Sequence, residues 1–214
     1  MQKNVFILLL IFAGLISINL SAQPNPRTVM PQKHYVGIEG DDIDNIMVAQ
    51  NNSYWCWAAT IEMVLNYYKV YVPQDSIVKK VYGLDENSEL PDYGATIETI
   101  QDRLNCSDVD TNGTTYTISS EMGKGAPNPS VLIRELGEKK PVIIGYDTGE
   151  GGHTVLITAA SYINTPSGPK ITSIVVRDPM PDAAFDMNNG RIEYPGKFLA
   201  QRIHAYWLID VEVN

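Results

Sequence analysis

Cysteine is scarce in these 214 residues, with only Cys56 and Cys106 present. That is too few for a disulfide framework, so either the two pair or they have separate jobs. Histidine is nearly as rare. His34, His153 and His204 are scattered, and no CxxC, HExxH or run of spaced carboxylates accompanies them. A structural or catalytic metal is therefore not expected, and the chemistry considered below needs no cofactor. Positive charge is also short, with 16 Lys and Arg against 25 Asp and Glu and a net charge of −9. Such an acidic surface repels phosphate backbones and anionic lipid heads, which argues against nucleic acid or membrane as a direct ligand. No internal repeat is evident.

Long apolar runs are missing except at the start. Residues 1–22 carry Lys3, an unbroken apolar stretch from Val5 to Ile16, and small Ser21 and Ala22 before Gln23. This is the layout of a secretory signal peptide, and the stretch is short for a membrane span. The expectation is cleavage near Ala22 and a secreted or periplasmic protein. Removing 22 residues from 214 leaves 192, enough for one domain, and the loss of Lys3 takes the charge from −9 to −10. A monomer is expected. Residues 23–43 are rich in Pro (Pro24, Pro26, Pro31) and then acidic (Asp41, Asp42), and they read as an extended N-terminal arm too short for a folded inhibitory prodomain. The folded domain is expected over residues 44–214.

Within it, residues 53–70 give the strongest helical pattern. Glu62, Asn66 and Lys69 fall on one polar stripe at i, i+4 and i+7, and apolar residues fill the rest. Asn52 or Ser53 is the expected N-cap, which puts Cys56 in the first turn. Further helices are read over residues 74–82, 96–104 and 129–139, the last after a Gly- and Ser-rich stretch over 112–128 and with Pro129 at a favourable first position. The second half changes period. Residues 141–146, 153–162, 171–177 and 205–213 are rich in Val, Ile, Thr and aromatics, with turns at Gly149-Glu150-Gly151-Gly152 and Pro166-Ser167-Gly168-Pro169. Helices first and antiparallel strands second make an α+β protein.

The segment Gln50-Asn51-Asn52-Ser53-Tyr54-Trp55-Cys56-Trp57-Ala58-Ala59 carries the chemistry. A Cys in the first turn of a helix lies where backbone N–H groups and the positive end of the dipole favour an anion. Its thiolate is primed as a nucleophile. From the entry loop, the side-chain amide of Gln50 could donate beside the sulfur, together with the backbone N–H of Cys56, to a developing oxyanion. Trp55 and Trp57 read equally well as core aromatics, and Cys106 as a bystander thiol.

Gln50 followed by Cys56-Trp57-Ala58 at the head of a buried helix resembles the papain-like cysteine peptidases, with Tyr54 and Trp55 in place of the small residues usual before the nucleophile. The Trp-Cys-Trp-Ala neighbourhood is closer to the compact bacterial branch, of staphopain-like and effector-type peptidases. The resemblance implies a papain-like fold, with a long central helix bearing the Cys and a β half bearing the base. It also implies hydrolysis of peptide or protein substrates. His153, opening the run His153-Thr154-Val155-Leu156-Ile157-Thr158-Ala159, looks like the family's base. If the strand starting at His153 and the one ending at Asp178 form a hairpin centred between Thr165 and Pro166, the two residues face each other and Asp178 orients the imidazole. A bulge would hand that role to Asp182, Asp186 or Asn188. The same triad supports acyl transfer to an amine, as in a transglutaminase-like or amidase reaction. A secreted pseudoenzyme that keeps only the peptide groove is the alternative from outside enzymology. Bacteriocin-leader peptidases are relatives of the same kind, though those usually precede a transporter.

Overall fold

The computed structural model describes residues 31–38, 40–180, 182 and 188–214. The expected signal peptide, residues 23–30 of the expected arm, and Asp186 lie outside the described residues. Residues from Pro31 to Asn214 form one compact unit.

Eight strands build a single antiparallel sheet: β1 (Lys33–Gly37), β2 (Cys106–Val109), β3 (Thr115–Lys124), β4 (Val142–Asp147), β5 (Gly152–Thr165), β6 (Gly168–Arg177), β7 (Arg191–Pro195) and β8 (Ile203–Val213). Their order is β2-β3-β8-β4-β5-β6-β7, with β1 also on β5. Strand β5 is 14 residues long, which lets one edge pair with β4 over its first half and with β1 over its second. Six helices accompany the sheet among the described residues: α1 (Gly40–Asp44), α2 (Cys56–Tyr67), α3 (Gln74–Tyr82), α4 (Ile97–Arg103), α5 (Pro129–Gly137) and α6 (Gly196–Ala200).

Alternation along the central strands gives the sheet two apolar faces. Ile143, Leu156, Ala205 and Trp207 join Trp57, Ile61, Met63 and Val64 in one core. Ile144, Val155, Ile157 and Val176 join Leu132 and Leu136 of α5 and Leu199 of α6 in the other. Helix α2 is apolar nearly all round because it is enclosed: Trp57, Ala58, Ile61, Met63, Val64 and Leu65 are each at most 1% exposed. Burial of one such large side chain stabilises the fold by about 1.5–3 kcal/mol. A charge placed at fully buried Met63 would disrupt this layer.

Four expectations need correction. Residues 33–37, expected in the extended arm, form β1 and pair with β5 through Lys33↔Ile163 to Gly37↔Ala159, and residues 40–44 form α1. The Gly- and Ser-rich stretch over 112–128 contains β3, whose side chains alternate between exposed and buried, so the front half of the chain is not purely helical. Helix α2 starts later than expected. Trp55, not Asn52 or Ser53, is the N-cap, and no side chain caps the helix. The cause is local: the Gln50 side chain gathers the carbonyls of Asn52 and Ser53 into a turn, which delays the first helical residue to Cys56.

The fourth correction is the hairpin register. The turn is centred between Pro166 and Ser167, with Thr165↔Gly168, and Leu156 faces Arg177. Irregularities between Ile157 and Ala159 and between Ser161 and Tyr162 compensate each other. The register is thus displaced by two residues from the one that would set His153 opposite Asp178. An even displacement keeps both residues on the same face, whereas an odd one would have separated them.

Candidate active site

Helix α2, β5 and the end of β6 converge on a cleft of about 540 Å³ lined by Tyr54, Cys56, Ile97, His153, Asp178 and Trp207, among others. Cys56 is the first residue of α2, and its carbonyl and that of Trp55 begin the helical ladder. The first-turn N–H groups, left without a side-chain cap, put the positive end of the helix at the sulfur. Cys56 and Cys106 are both free thiols.

His153 reaches this point from the start of β5. Its Nε2–H donates to Asp178 Oδ1 at 2.8 Å, which leaves Nδ1 for the hydrogen bond with the Cys56 sulfur. The ring packs edge-on against Tyr146, its cross-strand partner in β4, with centroids 5.8 Å apart. Burial by itself would lower the imidazole pKa. Hydrogen bonds and charges from Asp178 and Cys56 outweigh it and raise the value from 6.5 to about 9. At Cys56 the balance runs the other way. Burial would raise the thiol, but the hydrogen bond and charge of His153, joined by the N–H and hydroxyl of Thr154, hold it below its ordinary value. Both shifts run in the direction that favours a thiolate–imidazolium pair.

Asp178 is 5% exposed and tightly fixed. Its N–H donates to Gly190 O at 2.9 Å, and its Oδ1 also accepts from Met180 N at 2.9 Å. The turn-forming habit of Asp before Pro and the contact with histidine are therefore both present. Neighbouring Arg177 donates to the carbonyls of Asn188 and Asn189 and pairs with Asp44 of α1 at 2.7 Å. The loop over 188–190 passes so near that a Cβ on Gly190, whose φ is +67°, would lie 2.6 Å from Asp178 O. Only glycine fits there. Among the alternatives to Asp178, Asp182 is exposed, and Asn188 lies in the turn whose carbonyl Arg177 holds.

Gln50 is buried on the entry loop, with its backbone N–H donating to Pro179 O at 2.8 Å beside the Asp178 turn. Gln74 anchors the same loop by accepting from Asn51 N and donating to Ala49 O. The side-chain amide of Gln50 donates to Asn52 O at 2.9 Å and Ser53 O at 2.8 Å, while Oε1 is buried without a partner. Both N–H groups are thus committed, and donation toward the sulfur requires one of them to leave its carbonyl.

Some participants escaped the sequence reading. Trp55 and Trp57 are core aromatics, each 1% exposed, but their indole N–H groups also hold the carbonyls of Pro91 and Tyr93. Asp92 accepts from Tyr54 N at 2.9 Å. The cleft wall over residues 91–95 is therefore tied to three residues around Cys56, though nothing in its own sequence marks it. Thr154 reads as an ordinary strand residue, and only its place directly after His153 hinted otherwise.

A family profile described as Peptidase_C39 like family matches residues 42–208. No curated protein matches the sequence. Among solved structures, digestive procathepsin L2 proteinase from Tenebrio molitor larval midgut aligns at a TM-score of 0.51 and 14% identity, over 81% of this chain and 67% of that one. The peptidase domain of Streptococcus ComA aligns at 0.48 and 12% identity, over 77% of this chain and 96% of that one. A double glycine motif protease from an AMS/PCAT transporter, solved in complex with the leader peptide, aligns at 0.46 and 17% identity, over 76% and 89%. The papain-like fold expected from the sequence is the fold observed.

Proposed function

The chain belongs to the Peptidase_C39 like family and is a cysteine-type peptidase, and from that premise we propose that it hydrolyses peptide bonds through Cys56, His153, Asp178 and Gln50. The observation that carries this reading is the line of contacts at the head of α2. Cys56 meets His153, whose far nitrogen lies 2.8 Å from Asp178.

The Cys56 thiolate attacks the substrate carbonyl carbon. The oxyanion that forms is held by the Cys56 backbone N–H and by Gln50, once substrate draws one of its amide N–H groups away from the carbonyl of Asn52 or Ser53. His153 gives its Nδ1 proton to the departing amine as the C–N bond breaks, which leaves a thioester on Cys56. Water then adds to the thioester with the neutral imidazole as base, and the carboxylic acid product departs as Cys56 is restored. Asp178 fixes the ring orientation and favours its charged form throughout. The substrate is a peptide or protein met outside the cytoplasm, after export on residues 1–22, and the enzyme acts as a monomer. Among the described residues, no helix is long and apolar enough to cross a membrane.

Digestion of a peptide library by the mature protein, with Cys56→Ala as the control, tests the mechanism. Turnover should vanish in the variant while its fold is retained. Equal cleavage by both would refute Cys56 as the nucleophile.

A further inference from the structure

We propose that Thr154 is a third partner of the Cys56 sulfur, donating to it from both its N–H and its hydroxyl, and that Thr60 is the residue that positions it. The inference rests on the reading of Cys56 as nucleophile. It begins with strand alternation. Side chains 153 and 154 leave β5 on opposite faces, and Thr154 shares with Leu156 the face turned toward α2. Thr154 is 6% exposed and lines the same cleft as Cys56, and its N–H and hydroxyl are among the groups that hold the thiol pKa down.

Thr60, one turn along α2 and fully buried, ties this arrangement together. Its Oγ1 lies 2.8 Å from Cys56 O and 3.0 Å from Thr154 O. A helical Thr commonly donates to the carbonyl four residues back, which accounts for the first contact. It does not account for the second, which crosses from helix to strand. The hydroxyl therefore stands between the carbonyl of the nucleophile's residue and the carbonyl of the residue after the base. It fixes the spacing of the two elements that carry the ion pair. Because Thr60 occupies the Thr154 carbonyl and not its hydroxyl, the Thr154 O–H remains available to the sulfur.

Three titratable groups also bear on that sulfur: His153 from β5, Tyr146 from β4, and Asp178 beyond the imidazole. Tyr146 stays neutral, since burial first and then Tyr194 raise its pKa far above the ordinary range. Thr154 differs from all three. It is an uncharged donor pair that stabilises the thiolate at every pH where the thiolate exists, and hydrogen bonds to a charged acceptor are the stronger kind. It also lets the thiolate persist during steps in which the imidazole is neutral.

The test uses the full mature chain with iodoacetamide as probe, following Cys56 and Cys106 separately by peptide mapping, together with kcat and KM on a cleavable peptide. Thr154→Val keeps the shape and strand preference but removes the hydroxyl. It should raise the pH midpoint of Cys56 alkylation by about half to one unit, a threefold to tenfold loss of thiolate below the midpoint. It should also lower kcat while KM stays put. Thr154→Ser should restore both. Thr60→Val should shift the midpoint in the same direction by less, and Thr60→Ser should reverse it. A Thr154→Val midpoint equal to the parent's, or a Ser variant that rescues nothing, overturns the inference while leaving the peptidase mechanism standing. Failure of the mechanism itself looks different: the parent would then alkylate Cys56 no faster than Cys106, and the inference would fall with it.

Discussion

Cys56 and Cys106 are both partly exposed thiols with basic side chains beside them, yet their pKa values shift in opposite directions. Burial raises the pKa of each. At Cys106 the charges of Arg103 and Lys80 and a hydrogen bond from Arg103 pull downward, but the thiol still ends above its ordinary value. Arg103 also donates to Tyr116 OH at 3.0 Å and contacts Asp108, to which Lys80 is paired. At Cys56 a single imidazole and one threonine are enough to reverse the effect of burial.

The difference lies in what a carboxylate does to each kind of cation. Arginine is protonated at every relevant pH, so Asp108 can only compete with the sulfur for its charge. Histidine is titratable. Asp178, held on the far nitrogen, raises the imidazole pKa and so favours its cationic form beside the sulfur. The carboxylate behind the histidine thus works with the sulfur's partner, whereas the one beside the arginine works against it.

The most forceful way to break this contrast is to remove the imidazole. His153→Ala leaves Cys56 with burial and Thr154 alone, so its alkylation midpoint should rise toward that of Cys106. Turnover should fall by about 10³-fold or more, as expected when the group that serves as both acid and base is lost. Comparing kcat/KM and the two alkylation rates in one preparation checks both points. A variant that kept its fast thiol would place the activating charge elsewhere.

Asp178→Asn attacks the same contrast one step back. The imidazole keeps its place but loses the carboxylate that raises its pKa. The alkaline limb of the activity profile should move to lower pH, and kcat/KM should drop by about 10²-fold. A profile unmoved on its alkaline side would assign Asp178 to the turn with Met180 and nothing more.

How much of this could be read from the sequence varies with the range of the interaction. Helix α3 runs over Gln74–Tyr82 as expected, because Pro73 and Gly83 bound it locally. The place of Cys56 in the first turn of α2 followed from a helix start that is also local. His153 and Asp178 are in contact even though the expected register was displaced by two, since face is set by parity and not by the exact partner. Strand β1 was missed because its only reason to be a strand is the second half of β5, more than a hundred residues away. The same holds for residues 91–95, which are held by Trp55 and Trp57. The motif around Cys56 pointed to papain-like chemistry. It does not decide the staphopain-like branch, since the family match spans residues 42–208 and so reflects the whole fold.

The pH dependence of the unmodified enzyme gives a smaller and more specific test. The folded His153 pKa is about 9, above its ordinary 6.5. The stability that this charge contributes is therefore complete below about 6.5 and is lost as pH rises through about 9. Activity that depends on the imidazolium should instead fall around the folded value itself, by about tenfold between roughly pH 8 and pH 10. A profile flat to pH 10 would mean that the imidazole is not the titrating acid.

The smallest expected effect sharpens the comparison from its other side. Cys106 opens β2, packs partly against the hydrophobic core, and faces the polar cluster of Arg103, Asp108, Lys80 and Tyr116. None of these residues lines the cleft that holds Cys56. Cys106→Ser keeps a small polar atom beside Arg103, so stability should change by about 1 kcal/mol or less. The values of kcat, KM and the Cys56 alkylation midpoint should all stay within about twofold of the parent, as expected for sites without shared partners. A substantial loss of activity in this variant would show that the second thiol reaches the site by a route absent from the contacts around it. The opposite shifts of the two cysteines could then no longer be explained by their immediate neighbours alone.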